Sequence, residues 1–304
     1  MLSFKDVCKE MKPVIDGYCF KYGRGSCQRS FASSFCLKNK YQDKFEEKDA
    51  YLFTYRSGIS DEKQKTYLFP LGDLENETGI KNAINEILDD AKKDGCKVLF
   101  KTIDEAEKNV LEKYFGDKFK IEDARDYYEY IYDAKKISEL NGSVFQAKRN
   151  AIHKLLRTYS DSITIKKIED KDISNIEDFY NEWIKDVDED HKAYIENEIK
   201  EFELAIDNYN FLGLLGIVVM IEGKVVGFNF GSKVDEFTYD GIIQKGDTKY
   251  NGIYELLNNY TAKIFESEVK YMNFEEDLGI EGLRKAKMMY QPIHLMKKYI
   301  AMEV

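Results

Sequence analysis

Three prolines, one tryptophan and three histidines are all that these types contribute to 304 residues. Pro13, Pro70 and Pro292 stand far apart and no Gly/Ser-rich stretch occurs, so no flexible linker divides the chain and any two domains are closely coupled. The five cysteines (Cys8, Cys19, Cys27, Cys36, Cys96) form no C-x-x-C pair and have no histidine at ligand spacing, which predicts reduced thiols and no metal site. Long hydrophobic runs are missing too. The longest, Phe211–Ile221, has eleven residues and two glycines, well short of the roughly 20 needed to span a bilayer, and reads as a buried strand. The N-terminal MLSFKDVCKEMK lacks the apolar centre of a signal peptide. Together these absences predict a soluble, cytoplasmic protein with no transmembrane segment.

Positive charge is in deficit: 46 basic against 56 acidic residues leave a net charge of −10. That argues against a broad nucleic-acid-coating surface and leaves room for a local basic groove. No Walker sequence, no G-x-G-x-x-G and no G-x-S-x-G elbow occurs, so nucleotide loops and Ser/His/Asp chemistry have no support.

What is present is core-forming. Hydrophobic content of 43% and aromatic content of 14% predict substantial cores. In the first half, strands are expected at 50–56 and 66–70, a helix at 80–93 ended by Gly95, a strand at 97–100, a helix at 104–115 closed by Gly116, and an aromatic strand at 127–132. The second half repeats the alphabet: strand 162–168, helices 173–183 and 191–208, a meander at 214–221, 225–232 and 237–243, helix 253–265, strand 270–274, helix 282–290 and a last strand at 293–300. The element order predicts an α/β (α+β) protein of two related units, each a mixed sheet flanked by helices, covering residues 1–160 and 161–304.

Two segments carry chemistry. In Asn141–Tyr159, the residues Gln146, Arg149, Asn150, His153 and Arg157 form one polar stripe opposite an apolar face of Phe145, Ile152, Leu156 and Tyr159. A solvated amphipathic helix would look the same. As a binding face, Arg149 and Arg157 fork onto phosphate oxygens while Lys148 and Lys154 add point charge. In Asn273–Lys287, the acids Glu275, Glu276 and Asp277 end a strand just before a helix bearing Arg284, Lys285 and Lys287. Glu276 or Asp277 there suits a general base or an ammonium site, and equally a helix cap. Arg284 and Lys287 suit balancing of developing charge. A third stretch, Lys249–Tyr254, follows a strand and opens a helix, so Tyr250, Asn251 and Gly252 lie where backbone N–H groups can meet an anion.

The blocks at 125–159 (RDYYEYIYDAKKISELNGSVFQAKRNAIHKLLRTY), 249–260 (KYNGIYELLNNY) and 273–299 (NFEEDLGIEGLRKAKMMYQPIHLMKKY), with the PLGD turn at 70–73, resemble the C-terminal domain of phosphatidylglycerol lysyltransferases. The resemblance spans nearly the whole chain. It implies two tandem GNAT-type acyltransferase units, as also in Fem-type peptidyltransferases. It further implies an aminoacyl-tRNA donor, no resident cofactor, and a small-molecule, peptide or lipid acceptor. After the 237–243 strand, Gln244-Lys-Gly-Asp247 and Tyr250-Asn-Gly252 do not reproduce the pyrophosphate loop of acetyl-CoA enzymes, which favours a donor other than CoA. The family's multi-span membrane half has no counterpart here. A CoA-dependent N-acyltransferase and a non-catalytic binding protein on the same fold remain the alternatives.

Overall fold

A computed structural model describes residues 1–186 and 192–304. The chain opens with β1 (Lys5–Asp6), α1 (Lys12–Tyr22), α2 (Phe31–Cys36) and α3 (Lys38–Tyr41). The antiparallel strands β2 (Asp43–Lys48), β3 (Tyr51–Arg56) and β4 (Gln64–Leu71) follow, then α4 (Glu77–Lys93), β5 (Lys97–Ile103), α5 (Glu105–Phe115) and β6 (Phe119–Asp123). Next come β7 (Glu129–Asp133), α6 (Ala134–Glu139), α7 (Gln146–Thr158), β8 (Ile163–Lys167), α8 (Ile173–Trp183), α9 (Lys192–Asp207) and α10 (Tyr209–Leu212). The meander β9 (Leu215–Ile221), β10 (Lys224–Lys233) and β11 (Thr238–Gly246) leads to α11 (Ile253–Ile264) and β12 (Tyr271–Asn273). The chain ends with α12 (Glu281–Met288), β13 (His294–Met296) and β14 (Tyr299–Glu303).

These elements build two mixed sheets flanked by helices. The first runs β1-β2-β3-β4-β5-β14-β6 and the second β13-β7-β12-β11-β10-β9-β8. Each contains a parallel pair, β4 with β5 and β11 with β12. Both parallel ladders are short. Pairing covers Gln64–Tyr67 with Lys97–Phe100 in one sheet and Thr238–Asp240 with Tyr271–Asn273 in the other, after which β4 and β11 run on. Each sheet therefore forks at the same topological place.

Local rules account for most elements. The apolar residues Ile80, Ala83, Ile84, Ile87 and Ala91 recur at helical spacing, and all are buried on one face of α4 against Phe69 and Phe100 of the first sheet. Each of the three isoleucines contributes about 1.5–3 kcal/mol of burial, which outweighs the helix's weak propensity at Asn82 and Asn85. Asp104 starts α5 with a capping box to Glu107. In the second sheet, Phe228 and Phe230 of β10 are wholly buried and receive Tyr180 of α8 and Phe202 of α9, whose rings stack 3.8 Å apart.

Three expectations change. The compact units are Met1–Glu129 with Glu276–Arg284 and Leu295–Val304, and Tyr130–Glu275 with Lys285–His294, not two segments cut at residue 160. The reason is strand exchange between chain halves: β7 joins the second sheet beside β12, and β14 enters the first sheet between β5 and β6. The single strand expected at 293–300 is two strands, β13 and β14, assigned to different sheets. The helix expected at 191–208 is described from Lys192 onward, and its first residue, His191, lies outside the described residues. Among the described residues no helix is long and apolar enough to cross a membrane.

Candidate functional site

In the first unit the acidic turn is bolted by its own arginines. Asp277 is fully buried and its two oxygens accept four hydrogen bonds: Arg125 Nη1 at 2.8 Å, Arg284 Nε at 3.0 Å and Nη2 at 2.8 Å, and the Gly279 N–H at 2.9 Å. The last bond depends on left-handed backbone at Leu278 and Gly279 (φ 50° and 78°), which turns the chain back on Asp277. Arg284 also reaches Asp126 at 2.8 Å. These bonds make Asp277 the anchor of the turn. Arg284 projects from α12, a helix that buries none of its residues.

Glu276, the neighbouring acid, is half-buried and faces a different set of groups. Its Oε1 accepts Gln28 Nε2 at 2.8 Å and the Cys27 thiol at 3.7 Å. Gln28 is itself held by Arg56 Nη1 at 3.0 Å and the Thr102 hydroxyl at 2.9 Å. Beneath this lies a pair not foreseen from sequence, Glu129 with Lys298. Glu129 accepts the Ser26 hydroxyl at 2.7 Å, the Cys27 N–H at 2.9 Å and Lys298 Nζ at 2.6 Å. Burial pushes the Glu129 carboxyl up, but Lys298, Ser26 and the Cys27 N–H outweigh it and hold the group below its ordinary value. Lys298 is correspondingly held above its own, burial being outweighed by Glu129 and Cys27. Cys27, Glu129 and Glu276 bring ligand atoms within 4.8 Å of one another. The Lys298 ammonium supplies the cation at Glu129.

The fork of the first sheet is filled by the chain's own arginine. Arg29 donates to the freed Phe69 carbonyl at 3.0 Å and pairs with Glu107 at 3.0 Å, while Arg24 pairs with Glu107 and Asp104 at 2.5 Å and 2.6 Å. This seals the place where β4 and β5 part.

In the second unit the basic helix α7 divides its charges by direction. Lys148 points inward, is only 8% exposed, and lies 3.8 Å over the Tyr290 ring. Among the described residues no carboxylate comes within ion-pair distance of it. Burial depresses its ammonium below the ordinary lysine value, partly offset by Glu255. Tyr290 belongs to a cluster with Tyr132 and Phe274, whose rings are 4.5 Å apart. Arg149 instead donates to the Leu140 and Gly142 carbonyls and so caps α6. Asn150 and Arg157 are exposed on the outer face. Gly252 starts α11 with φ 95°, pressed so closely on Ala151 that a Cβ would lie 2.9 Å from its backbone. Asn251 is exposed, and Tyr250 packs on Tyr159 with ring centroids 5.5 Å apart. Lys287 lies 5.7 Å over the Tyr130 ring, and its carbonyl accepts the Tyr132 hydroxyl at 2.8 Å.

Of the residues expected to act, the structure thus places Glu276 in a hydrogen-bonded cluster and Lys148 in an aromatic one, while Asp277 and Arg149 serve the fold. Glu129 was legible only as an acid breaking an aromatic strand, YYEYIY, and Lys298 only as one of two lysines before the last strand. Neither signal names a partner.

A conserved protein of unknown function from Bacteroides thetaiotaomicron is 30% identical over 100% of both chains, with a TM-score of 0.92. L-PGS from Bacillus licheniformis shares the fold at 15% identity, covering 96% of this chain and 91% of that one, with a TM-score of 0.67. A tandem GNAT protein from the clavulanic acid biosynthesis pathway aligns over 100% and 98% of the two chains at 8% identity and a TM-score of 0.50. An uncharacterized protein of Mycoplasmoides gallisepticum is 28% identical over 175 residues, 56% of this chain, and the match spans about half (54%) of that relative's length. The fold is therefore the tandem GNAT-like one. The family model for the C-terminal part of phosphatidylglycerol lysyltransferase matches residues 20–302, and the chain belongs to that family.

Proposed function

We propose that the protein is an acyltransferase that moves an aminoacyl group from aminoacyl-tRNA to an amine or hydroxyl acceptor. The observation that carries this reading is Lys148: a buried ammonium without a carboxylate partner, in a chain of a lysyltransferase family. A buried, unpaired cation is costly, and a site that supplies its missing anion on binding offsets that cost. In the second unit Lys148 would hold a negatively charged oxygen of the donor, with Tyr250, Asn251 and Gly252 beside the uncapped start of α11. Glu276 of the first unit is the candidate general base by its own chemistry. The acceptor nitrogen or oxygen forms a bond to the ester carbonyl carbon, the bond to the tRNA ribose oxygen breaks, and the proton lost by the acceptor ends on that ribose oxygen, which leaves as a hydroxyl. The ester is already activated, so positioning and charge stabilisation suffice.

The test is a pair of calorimetric titrations, one with a mixed aminoacyl-tRNA pool and one with acetyl-CoA, on the wild type and on Lys148→Met. Binding of aminoacyl-tRNA that is lost in K148M supports the reading. Binding of acetyl-CoA alone replaces it with CoA-dependent acyl transfer. Binding of either with no transfer to any amine or hydroxyl acceptor makes the protein a binding module.

A further inference from the structure

Gln28, half-buried between α1 and α2, stands between two charged side chains of the first unit. Its Oε1 accepts Arg56 Nη1 at 3.0 Å and the Thr102 hydroxyl at 2.9 Å, and its Nε2 donates to Glu276 Oε1 at 2.8 Å. Chemistry fixes which arm faces which. A guanidinium only donates, so the amide atom beside Arg56 is the oxygen, and the N–H arm is left for the carboxylate.

Both groups that grip the amide oxygen are themselves held. Arg56 is 2% exposed, pairs with the buried Asp43 of the neighbouring strand β2 at 3.3 Å, and lies 4.1 Å over the Tyr41 ring. Thr102 has φ 61°, a left-handed backbone that a β-branched residue rarely adopts. It sits at a register shift, where Lys101 and Thr102 of β5 face Ile300 alone of β14. Such a bulge re-aims a side chain, and here the Thr102 hydroxyl meets Gln28. Strain of this kind persists only where the surrounding structure imposes it, and it gathers at functional sites. We propose that Gln28 is a positioning residue: its amide, locked by Arg56 and Thr102, holds the Glu276 carboxylate in the orientation that its role as general base requires. The inference rests on that reading of Glu276.

Two measurements on the full chain separate the inference from the reading beneath it. The first needs no substrate. The Gln28 side-chain amide signal in an NMR spectrum, identified by its loss in Gln28→Glu, should shift with pH as Glu276 ionises, and Glu276→Gln should abolish that shift. The second is transfer from a mixed aminoacyl-tRNA pool to ethanolamine, which offers both an amine and a hydroxyl. Gln28→Met should lower kcat by about 10²-fold at unchanged KM, the effect of a displaced reacting group. Gln28→Glu keeps the shape and suits Arg56, yet it sets a like charge against Glu276 and should do no better than Q28M. Thr102→Gly relieves the left-handed strain and removes the hydroxyl, so Tm should hold or rise while kcat falls. A purely structural role gives the reverse, a lower Tm with kcat intact. An amide signal that ignores pH or responds equally in E276Q, or wild-type kcat in both Q28M and T102G, overturns the proposal. Wild-type kcat in E276Q overturns the general-base reading and, with it, the part of Gln28 in transfer. Should the wild type leave ethanolamine unmodified, the amide response alone decides whether Gln28 holds Glu276.

Discussion

The Lys298 ammonium lies 2.6 Å from a Glu129 oxygen, with the two side chains 2% and 0% exposed. Ser26 bridges them, donating to Glu129 and accepting from Lys298 at 2.8 Å. The pair joins β7 to the segment just before β14, both near the strand exchange that shapes the two sheets. A buried pair of this kind adds little net stability, yet breaking it is expensive because the remaining charge is stranded.

Lys298→Met should therefore lower unfolding free energy by about 3–5 kcal/mol, while Lys298→Met with Glu129→Gln should lose much less. Denaturant unfolding of the four species in this cycle measures the coupling. A double-variant loss equal to the sum of the two single-variant losses would show that the pair is not coupled.

The same pair sets the pH limits of stability. Glu129 is held below its ordinary 4.5, so its contribution is complete above 4.5 and is lost as pH falls through the lower folded-state value. Lys298 is held above its ordinary 10.5, so its contribution is complete below 10.5 and is lost as pH rises through the higher folded-state value. Thermal unfolding from pH 3 to 11 should show a plateau across the neutral range, and Glu129→Gln should flatten its acid edge.

Glu276 and Asp277 are adjacent in sequence and should respond oppositely to amide substitution. Glu276→Gln should reduce transfer by roughly 10²-fold with little change in Tm. Asp277→Asn should cost about 1–3 kcal/mol, a buried-pair loss discounted because Arg125 and Arg284 are each about a third exposed, 33% and 34%. Differential scanning calorimetry beside a transfer assay separates the two. A fall in activity for D277N at unchanged Tm would return Asp277 to the chemistry.

Lys148→Met should leave the protein as stable as the wild type or more so at pH 7. Burial favours the neutral amine in the folded state, so the wild type gains stability as pH rises through the depressed value toward 10.5, and the variant lacks that gain. Donor affinity should fall tenfold or more. A destabilised K148M with intact donor binding would make Lys148 a packing residue.

Arg149 and Arg157 share one stripe of α7 and should behave differently. Arg157→Gln should flatten the log–log salt dependence of tRNA binding by about 0.7–0.9, one phosphate contact. Arg149→Gln should lower Tm through loss of the bonds to Leu140 and Gly142, without changing that slope.

Local periodicity made α5, α8 and α11 legible almost to the residue, because a buried helical face repeats every three or four positions. The meander β9–β11 was legible from its apolar runs and the turn at Glu222–Lys224, since strands buried on both faces read as continuous apolar stretches. The short strands β2 and β6 were not read, since one or two apolar residues in a row of charges leave no period to count.

By itself the sequence determined the mixed α/β alphabet, the helical faces and the two segments rich in opposed charge. Only tertiary structure decided that β14 lies between β5 and β6 and that β7 lies beside β12, because strand pairing joins backbone groups far apart in sequence and leaves no local trace. It also decided which charges are at work. Lys148 and Arg149 are neighbours in the chain, but one residue of helix turns the side chain through about 100°, sending one under Tyr290 and the other to the end of α6.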